Sequence, residues 1–244
     1  ERPLLSGPDP LGRIRDLKAQ RQPTYALAHW TVHTDSLSIA EVAQEVVRAW
    51  RTFWASDGKA QAPFAGSPDL AATVETSGGS CPLLVGWGLI PRLGELLLQA
   101  GVKGPVYVVT DDNVSTSYLR RAQQSLQKAG IEAHTFTFPA GEKSKSLAMA
   151  THLYEWLASL KVRRSDTLVA LGGGVTGDLT GFVAATYNRG IGFVQVPTSM
   201  AAMVDASIGG KTAVDLPAGK NLVGAFYQPR LVVADVSALR TLPK

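Results

Sequence analysis

Thr167-Leu168-Val169-Ala170-Leu171-Gly172-Gly173-Gly174-Val175-Thr176-Gly177-Asp178 decides how this chain folds. Thr167–Leu171 is an apolar run of strand length, and a glycine-rich turn after it opens a helix. Gly172, Gly174 and Gly177 satisfy G-x-G-x-x-G. Glycines let a backbone approach a pyrophosphate, and a helix N-terminus offers it free N–H groups. The bare pattern is common, and its place between strand and helix gives it meaning. A tight strand–helix turn that binds nothing remains open at this level. An ordinary Rossmann dehydrogenase wants an acid about 20 positions further on for the ribose hydroxyls. Here the next strand ends in Pro197-Thr198-Ser199, and the nearest acid is Asp178 in the first helical turn. A dinucleotide has to be held in another way.

Outward from that turn, strands and helices alternate. Val106–Val109, His134–Phe138, Gly192–Val196 and Leu231–Ala234 read as further strands. Leu89, Leu93, Leu96 and Leu97 mark a helix stopped at Gly101. Val114, Tyr118, Ala122 and Leu126 mark another stopped at Gly130, and Leu147, Ala150, Leu153, Leu157 and Leu160 a third. This alternation implies right-handed crossovers and an α/β fold with a Rossmann-like, largely parallel sheet.

Hydrophobic residues make up 45% of the 244 residues and charged ones 18%, which fits a folded chain. The net charge of +4 comes without a run of like charges or interleaved aromatics, so lysines and arginines among glycines suit small anions better than nucleic acid. No apolar stretch approaches the roughly 20 residues of a membrane span, and no signal peptide opens the chain. Cys81, the single cysteine, cannot form an internal disulfide and fits a reducing cytoplasm. The start lacks an initiator Met and reads as mid-domain sequence, so a fragment is expected.

Ser207-Ile208-Gly209-Gly210-Lys211-Thr212 imitates the end of a P-loop, but the loop's first glycine would fall on Asp205 and no strand leads in. What remains is a Gly-Gly-Lys turn whose Lys211 can reach an anion. Lys220-Asn221 follows Gly219. With Arg189 and Asp205, these groups supply cations, an amide and a carboxylate for a phosphorylated, hydroxylated acid. Each alone reads as a surface residue; together, among glycines, they favour a site. His29 and His33 have no carboxylate or cysteine partner at metal-ligand spacing, and His134 in a strand and His152 on a helix read as surface or packing residues.

Gly172–Asp178, Ala184–Gly190, Gln195–Ser199, Val204–Thr212 and Gly219–Pro229 together resemble the signature blocks of 3-dehydroquinate synthases in order and spacing. The resemblance implies conversion of the seven-carbon phosphate DAHP to 3-dehydroquinate and phosphate, in the shikimate pathway. Bound NAD oxidises a ring carbinol, phosphate leaves, and the ketone is reduced again before ring opening and aldol closure. It also implies roles. Gly173, Gly174, Val175, Gly177 and Asp178 would hold NAD. Asp111, Glu142, Lys145, Thr198 and Ser199 would contact its adenosine or ribose parts, and Leu239, Arg240 and Thr241 match a later NAD-contacting turn. Lys211 and Lys220 would serve both cofactor and substrate, with Asp205 and Asn221 on the substrate. Arg189 would act from a partner subunit of a homodimer. Ala140 stands where the family usually has Asp. The family's divalent metal, zinc or cobalt, takes a Glu and two His that would fall beyond residue 244, so no metal site is expected here. Related sugar-phosphate cyclases, iron-type alcohol dehydrogenases and a non-catalytic NAD-binding module are the competing readings.

The N-terminal stretch resembles something else. Arg2-Pro3-Leu4-Leu5, Arg21-Gln22-Pro23-Thr24-Tyr25 and Val32-His33-Thr34-Asp35 are similar to the C-terminal end of shikimate kinases, a P-loop kinase fold. That implies Arg2 near ATP phosphates and Arg21 on the shikimate carboxylate, both suited to a planar guanidinium fork. Trp30–His33 reads as a strand and Ser38-Ile39-Ala40-Glu41 as a capping box opening a helix with Ile39, Val42, Ala43, Val46 and Val47 on one face. The expected organisation is a kinase tail over 1–50, a linker over 51–72 rich in Ala, Gly, Pro and Ser, and an NAD-binding domain over 73–244.

Overall fold

A computed structural model of the chain describes residues 9–25, 37–38, 40–45, 48, 63–76 and 79–242. The chain divides into two compact units, Glu1–Gln61 and Ala62–Lys244. In the first, helix α1 spans Pro10–Tyr25, and the Asp9 carboxylate accepts from the Gly12 N–H at 2.9 Å at its start. A second helix covers 40–45. The expected capping box opens it: the Ser38 N–H donates to Glu41 at 2.7 Å and the Glu41 N–H to Ser38 Oγ at 3.3 Å. Arg2, the strand Trp30–His33 and the apolar positions Ile39, Val46 and Val47 lie outside the described residues.

The described residues of the second unit form nine strands: β1 (Leu70–Thr76), β2 (Gly79–Gly86), β3 (Val106–Asp111), β4 (Ala133–Phe138), β5 (Thr167–Gly172), β6 (Gly192–Pro197), β7 (Lys211–Leu216), β8 (Gly219–Phe226) and β9 (Leu231–Asp235). Seven form one sheet in the order β1-β2-β9-β6-β5-β3-β4, parallel except for β1 against β2, while β7 and β8 pair as a separate antiparallel hairpin. The five strands read from sequence in this unit all form; β3, β5, β6 and β9 are buried throughout and need apolar residues on both faces. The two hairpins went unread. β1, β7 and β8 are partly exposed and mix polar with small side chains, and the short apolar run of β2 is interrupted by Pro82.

The stretch expected to be linker ends earlier than Thr73. Phe64 is buried in the core, Asp69 pairs with Arg92 at 2.8 Å, and β1 starts at Leu70. In residues 63–69 the Gly-Pro composition marks tight turns beneath a packed ring.

Four helices flank the sheet: α2 (Leu93–Gln99), α3 (Arg120–Lys128), α4 (Leu147–Ser159) and α5 (Gly174–Thr186). Gly101 and Gly130 follow α2 and α3 at φ of 76° and 71°, the left-handed geometry that ends a helix. Side chains alternate across each strand and so build two cores. Val106, Val108, Val169 and Leu171 pack with α2 and α3 on one face; Tyr107, Val109, Leu168 and Ala170 pack with α4 and α5 on the other. The connection after β3 therefore leaves over one face and that after β5 over the other. Where neighbouring strands part in this way, their carboxyl ends leave a crevice suited to a ligand. Asp111 and Gly172 end those two strands. No described helix is long and apolar enough to cross a membrane.

Candidate active site

The crevice is a cleft of about 500 Å³ lined by Asp111, Gly173, Gly174, Val175, Thr198, Ser199 and Thr241, among others. Gly173 precedes α5 with no side-chain cap, so the first N–H groups of α5 are left for a ligand. A Cβ built on Gly174 would meet only the Ala206 Cβ, at 3.6 Å. The protein leaves that space for something else, and a pyrophosphate fits both the space and the donors. Gly177 differs. Its Cβ would meet the Gln195 amide at 2.5 Å, so this glycine admits a neighbouring side chain, not a ligand. Asp111 caps the following helical turn through the Val114 N–H at 2.9 Å and accepts from the Thr176 hydroxyl at 3.1 Å, tying the two strand ends together.

Beside this cleft lies a buried lysine. Lys145 Nζ is 3.1 Å from Glu142, 3.4 Å from Asp178 and 3.6 Å from Asp215, and donates to Asn221 Oδ1 at 2.8 Å. Burial alone would push its pKa down. The hydrogen bond to Glu142 and the charges of Asp178, Glu142 and Asp215 outweigh that and hold it above the ordinary lysine value. Burial pushes the Asp178 carboxyl up, and Lys145 draws it only part of the way back. Asp215 goes the other way: desolvation raises it, but the Asn221 N–H and Lys145 together hold it below the usual range.

A second cleft of about 510 Å³ opens on the far side of the first turn of α5, lined by Asp178, Asp205, Ala206, Lys211, Asn221 and Phe226, among others. Lys211 pairs with Asp205 at 3.2 Å and Lys220 with Glu142 at 3.2 Å, and both ammonium groups stand in solvent. The clefts adjoin at Gly174 and Ala206.

Most of the residues singled out in the sequence thus gather around the start of α5. Asp178 faces the second cleft, not the glycine-lined one. Of Leu239, Arg240 and Thr241, only Thr241 lines the crevice, held by the Tyr118 hydroxyl at 2.6 Å; Arg240 lies over the Trp87 ring and Leu239 packs on the core. The Ala140 backbone N–H donates to Asp112 at 2.9 Å. Arg189 lies past the end of α5, just before β6 and so at the opposite end of the strands from the glycine turn. Arg21 sits in α1 of the other unit. Among the described residues no three His, Cys, Asp or Glu side chains gather as a metal site. Cys81 is buried, which pushes its thiol up to about 11 and leaves it inert. Asp215 had no signal in the sequence; its partners are distant along the chain except for Asn221.

Residues 135–244 match the family model described as 3-dehydroquinate synthase N-terminal. The 3-dehydroquinate synthase of Symbiobacterium thermophilum is 54% identical over 67% of this chain and 46% of its own length. The chain spans about half the length of the curated relatives it matches. Among solved structures, 2-deoxy-scyllo-inosose synthase complexed with carbaglucose-6-phosphate, NAD+ and Co2+ superposes with a TM-score of 0.65 at 30% identity, over 70% of this chain and 47% of that one. The 2-epi-5-epi-valiolone synthase of Streptomyces hygroscopicus subsp. jinggangensis, with NAD+ and Zn2+ bound, gives 0.62 at 27% identity, over 71% and 47%. Residues 135–244 are therefore similar to the N-terminal part of 3-dehydroquinate synthases.

Proposed function

We propose that the chain provides the NAD-binding and substrate-binding half of a 3-dehydroquinate synthase acting on DAHP. The observation that carries this is the meeting of two clefts at one helix start: a glycine-lined crevice with free N–H groups, and a neighbour furnished with Lys211, Asp205 and Asn221. Bound in the crevice, NAD supplies a hydride acceptor that is restored in each turnover. The chain's own groups do the rest of the work described here. The first N–H groups of α5 and the space over Gly174 receive the pyrophosphate. Lys211 exchanges Asp205 for an anionic oxygen of the substrate, which frees the Asp205 carboxylate to accept from a hydroxyl. Lys145 holds Asn221 by its oxygen, which leaves the amide N–H groups for the substrate. Arg189, at the amino end of the strands, would reach such a substrate from a second copy of the chain. The higher identity to 3-dehydroquinate synthases than to the other cyclases favours DAHP as substrate.

A divalent metal finds no ligand cluster among the described residues. Its ligands are proposed to come from the half of the relatives' length that this chain does not span. For residues 1–50 the reading is the tail of a shikimate kinase, with Arg2 toward ATP and Arg21 toward shikimate; its support is the motif order alone, and loss of kinase activity in the Arg21→Ala gene product is the check.

Titration of NAD into the parent chain and the Gly174→Val variant tests the cofactor site. The added side chain fills the space over the turn, so affinity should fall at least about tenfold, the equivalent of 1.4 kcal/mol. Equal affinity would overturn the reading.

A further inference from the structure

We infer that Asp215 is a positioning residue that fixes Asn221, and with it Lys220, against the start of α5. The inference rests on the proposed role of Asn221 and Lys220 at the substrate.

The β7–β8 register runs from Lys211 opposite Phe226 to Val214 opposite Val223, then shifts before Leu216 meets Gly219. Asp215 sits at that irregularity. A residue at a bulge loses its ladder partner and can turn its groups elsewhere. The Asp215 N–H donates to the Lys145 carbonyl at 2.8 Å, and Asp215 forms an isolated parallel bridge with Ser146. The hairpin is thereby fastened to the loop that leads into α4.

The Asp215 carboxylate accepts from the Asn221 N–H at 2.8 Å. Asn221 has φ of 57°, a left-handed backbone that non-glycine residues adopt only where something holds them. That conformation aims the Asn221 side chain at Lys145 Nζ, 2.8 Å from its oxygen. The neighbouring Lys220 then reaches Glu142 at 3.2 Å. One carboxylate thus sets the backbone of Asn221, while the same residue's N–H ties its strand to the element that carries Lys145 and Glu142. The backbone bond is open to any residue there, but the bond to the Asn221 N–H needs the carboxylate.

Two measurements test this. In the parent chain, the NMR shift of the Asn221 amide proton should follow a single carboxylate titration with its midpoint below the ordinary Asp value, because that proton lies on the carboxylate. In Asp215→Ala, exchange of that amide should quicken at least about tenfold while amides of β3 and β5 keep their protection. Asp215→Asn keeps an acceptor oxygen and should restore most of the protection. In the full gene product, Asp215→Ala should lower kcat/KM for DAHP at least about fivefold, and in an Asn221→Ala background it should add less than about twofold, because the two act as one unit. An Asn221 amide that ignores both the titration and the substitution overturns the inference, as does a loss of equal size in the Asn221→Ala background. If exchange quickens selectively while Asn221→Ala leaves turnover unchanged, the positioning contact stands and the substrate role of Asn221 falls.

Discussion

Lys145 and Lys211 are both lysines beside carboxylates, yet their settings differ. The Lys145 side chain is 6% exposed and touches three carboxylates and an amide; that of Lys211 is 61% exposed and touches one carboxylate across the mouth of a cleft. A buried ammonium with full partners cannot leave them without stranding charge, so it holds structure. An exposed pair is worth little in water and is readily exchanged for a better anion. The same residue type therefore fixes the site in one place and remains free to bind in the other.

The sharpest test of that contrast is Lys211→Met, which keeps bulk and removes charge. If the ammonium tracks charge that develops on the substrate, turnover in the full gene product should fall by about 10²–10³, roughly 2.7–4 kcal/mol. NAD affinity and thermal midpoint should stay put, since the Asp205 pair is exposed. Turnover within about twofold of the parent would make Lys211 a plain surface residue.

Lys145→Met should do the reverse and strike the fold itself. Glu142, Asp178 and Asp215 would be left facing one another. They keep some contact with water, and Asp178, already held above its usual range, takes up a proton more easily still. The cost should therefore stay below the roughly 3–5 kcal/mol of a fully buried broken pair, at about 2–3 kcal/mol. Thermal unfolding reads it as a drop of several degrees, and a midpoint within about 1 °C of the parent would contradict the structural role.

The glycine motif divides in the same way. Gly177→Ala sets a methyl against the Gln195 amide in a closed core and should cost about 1–3 kcal/mol of stability. Gly174→Ala makes only an ordinary contact with the Ala206 Cβ, at 3.6 Å, and should leave stability nearly unchanged. Equal melting of the two variants would break this distinction.

That pair also shows what a sequence can and cannot convey. Gly174 and Gly177 are equivalent letters of one motif, and only the distances to Ala206 and Gln195 separate ligand space from packing space. Thr167–Leu171 and Leu231–Ala234 were legible because a strand buried on both faces has to be a continuous apolar run. Lys211-Thr212-Ala213-Val214-Asp215-Leu216 was not, because a strand that packs one face on α5 and shows the other to a cleft mixes polar and apolar residues freely. The cluster on Lys145 brings together four segments of chain, and no local pattern announces such a meeting. Lys211, Lys220 and Asn221 were found through their glycine neighbours and a family likeness; Asp215, their support, had neither.

The smallest expected effect lies in the acid limb of stability. Asp215 is held below its usual range, so the native state binds its proton less readily than the unfolded chain does. Its contribution is then fully present above the unfolded value, about 3.9, and is lost as pH falls through the depressed folded value. Asp178 has the opposite sign: its raised value means that ionisation on going upward through the unfolded and then the folded value weakens the native state. The two oppose each other, and the parent should show only a shallow net slope from this cluster. Substitution separates them. Asp215→Asn should be less stable than the parent at neutral pH, and the gap should close as acid protonates Asp215 in the parent. Asp178→Asn should lose less at neutral pH than Asp215→Asn does, since it removes a charge that burial already disfavours, at the expense of one partner of Lys145. Denaturant unfolding at a series of pH values measures both. A gap for Asp215→Asn that stays constant down to the lowest pH at which the chain folds would mean that the carboxylate's charge contributes nothing, and that only its shape holds the hairpin.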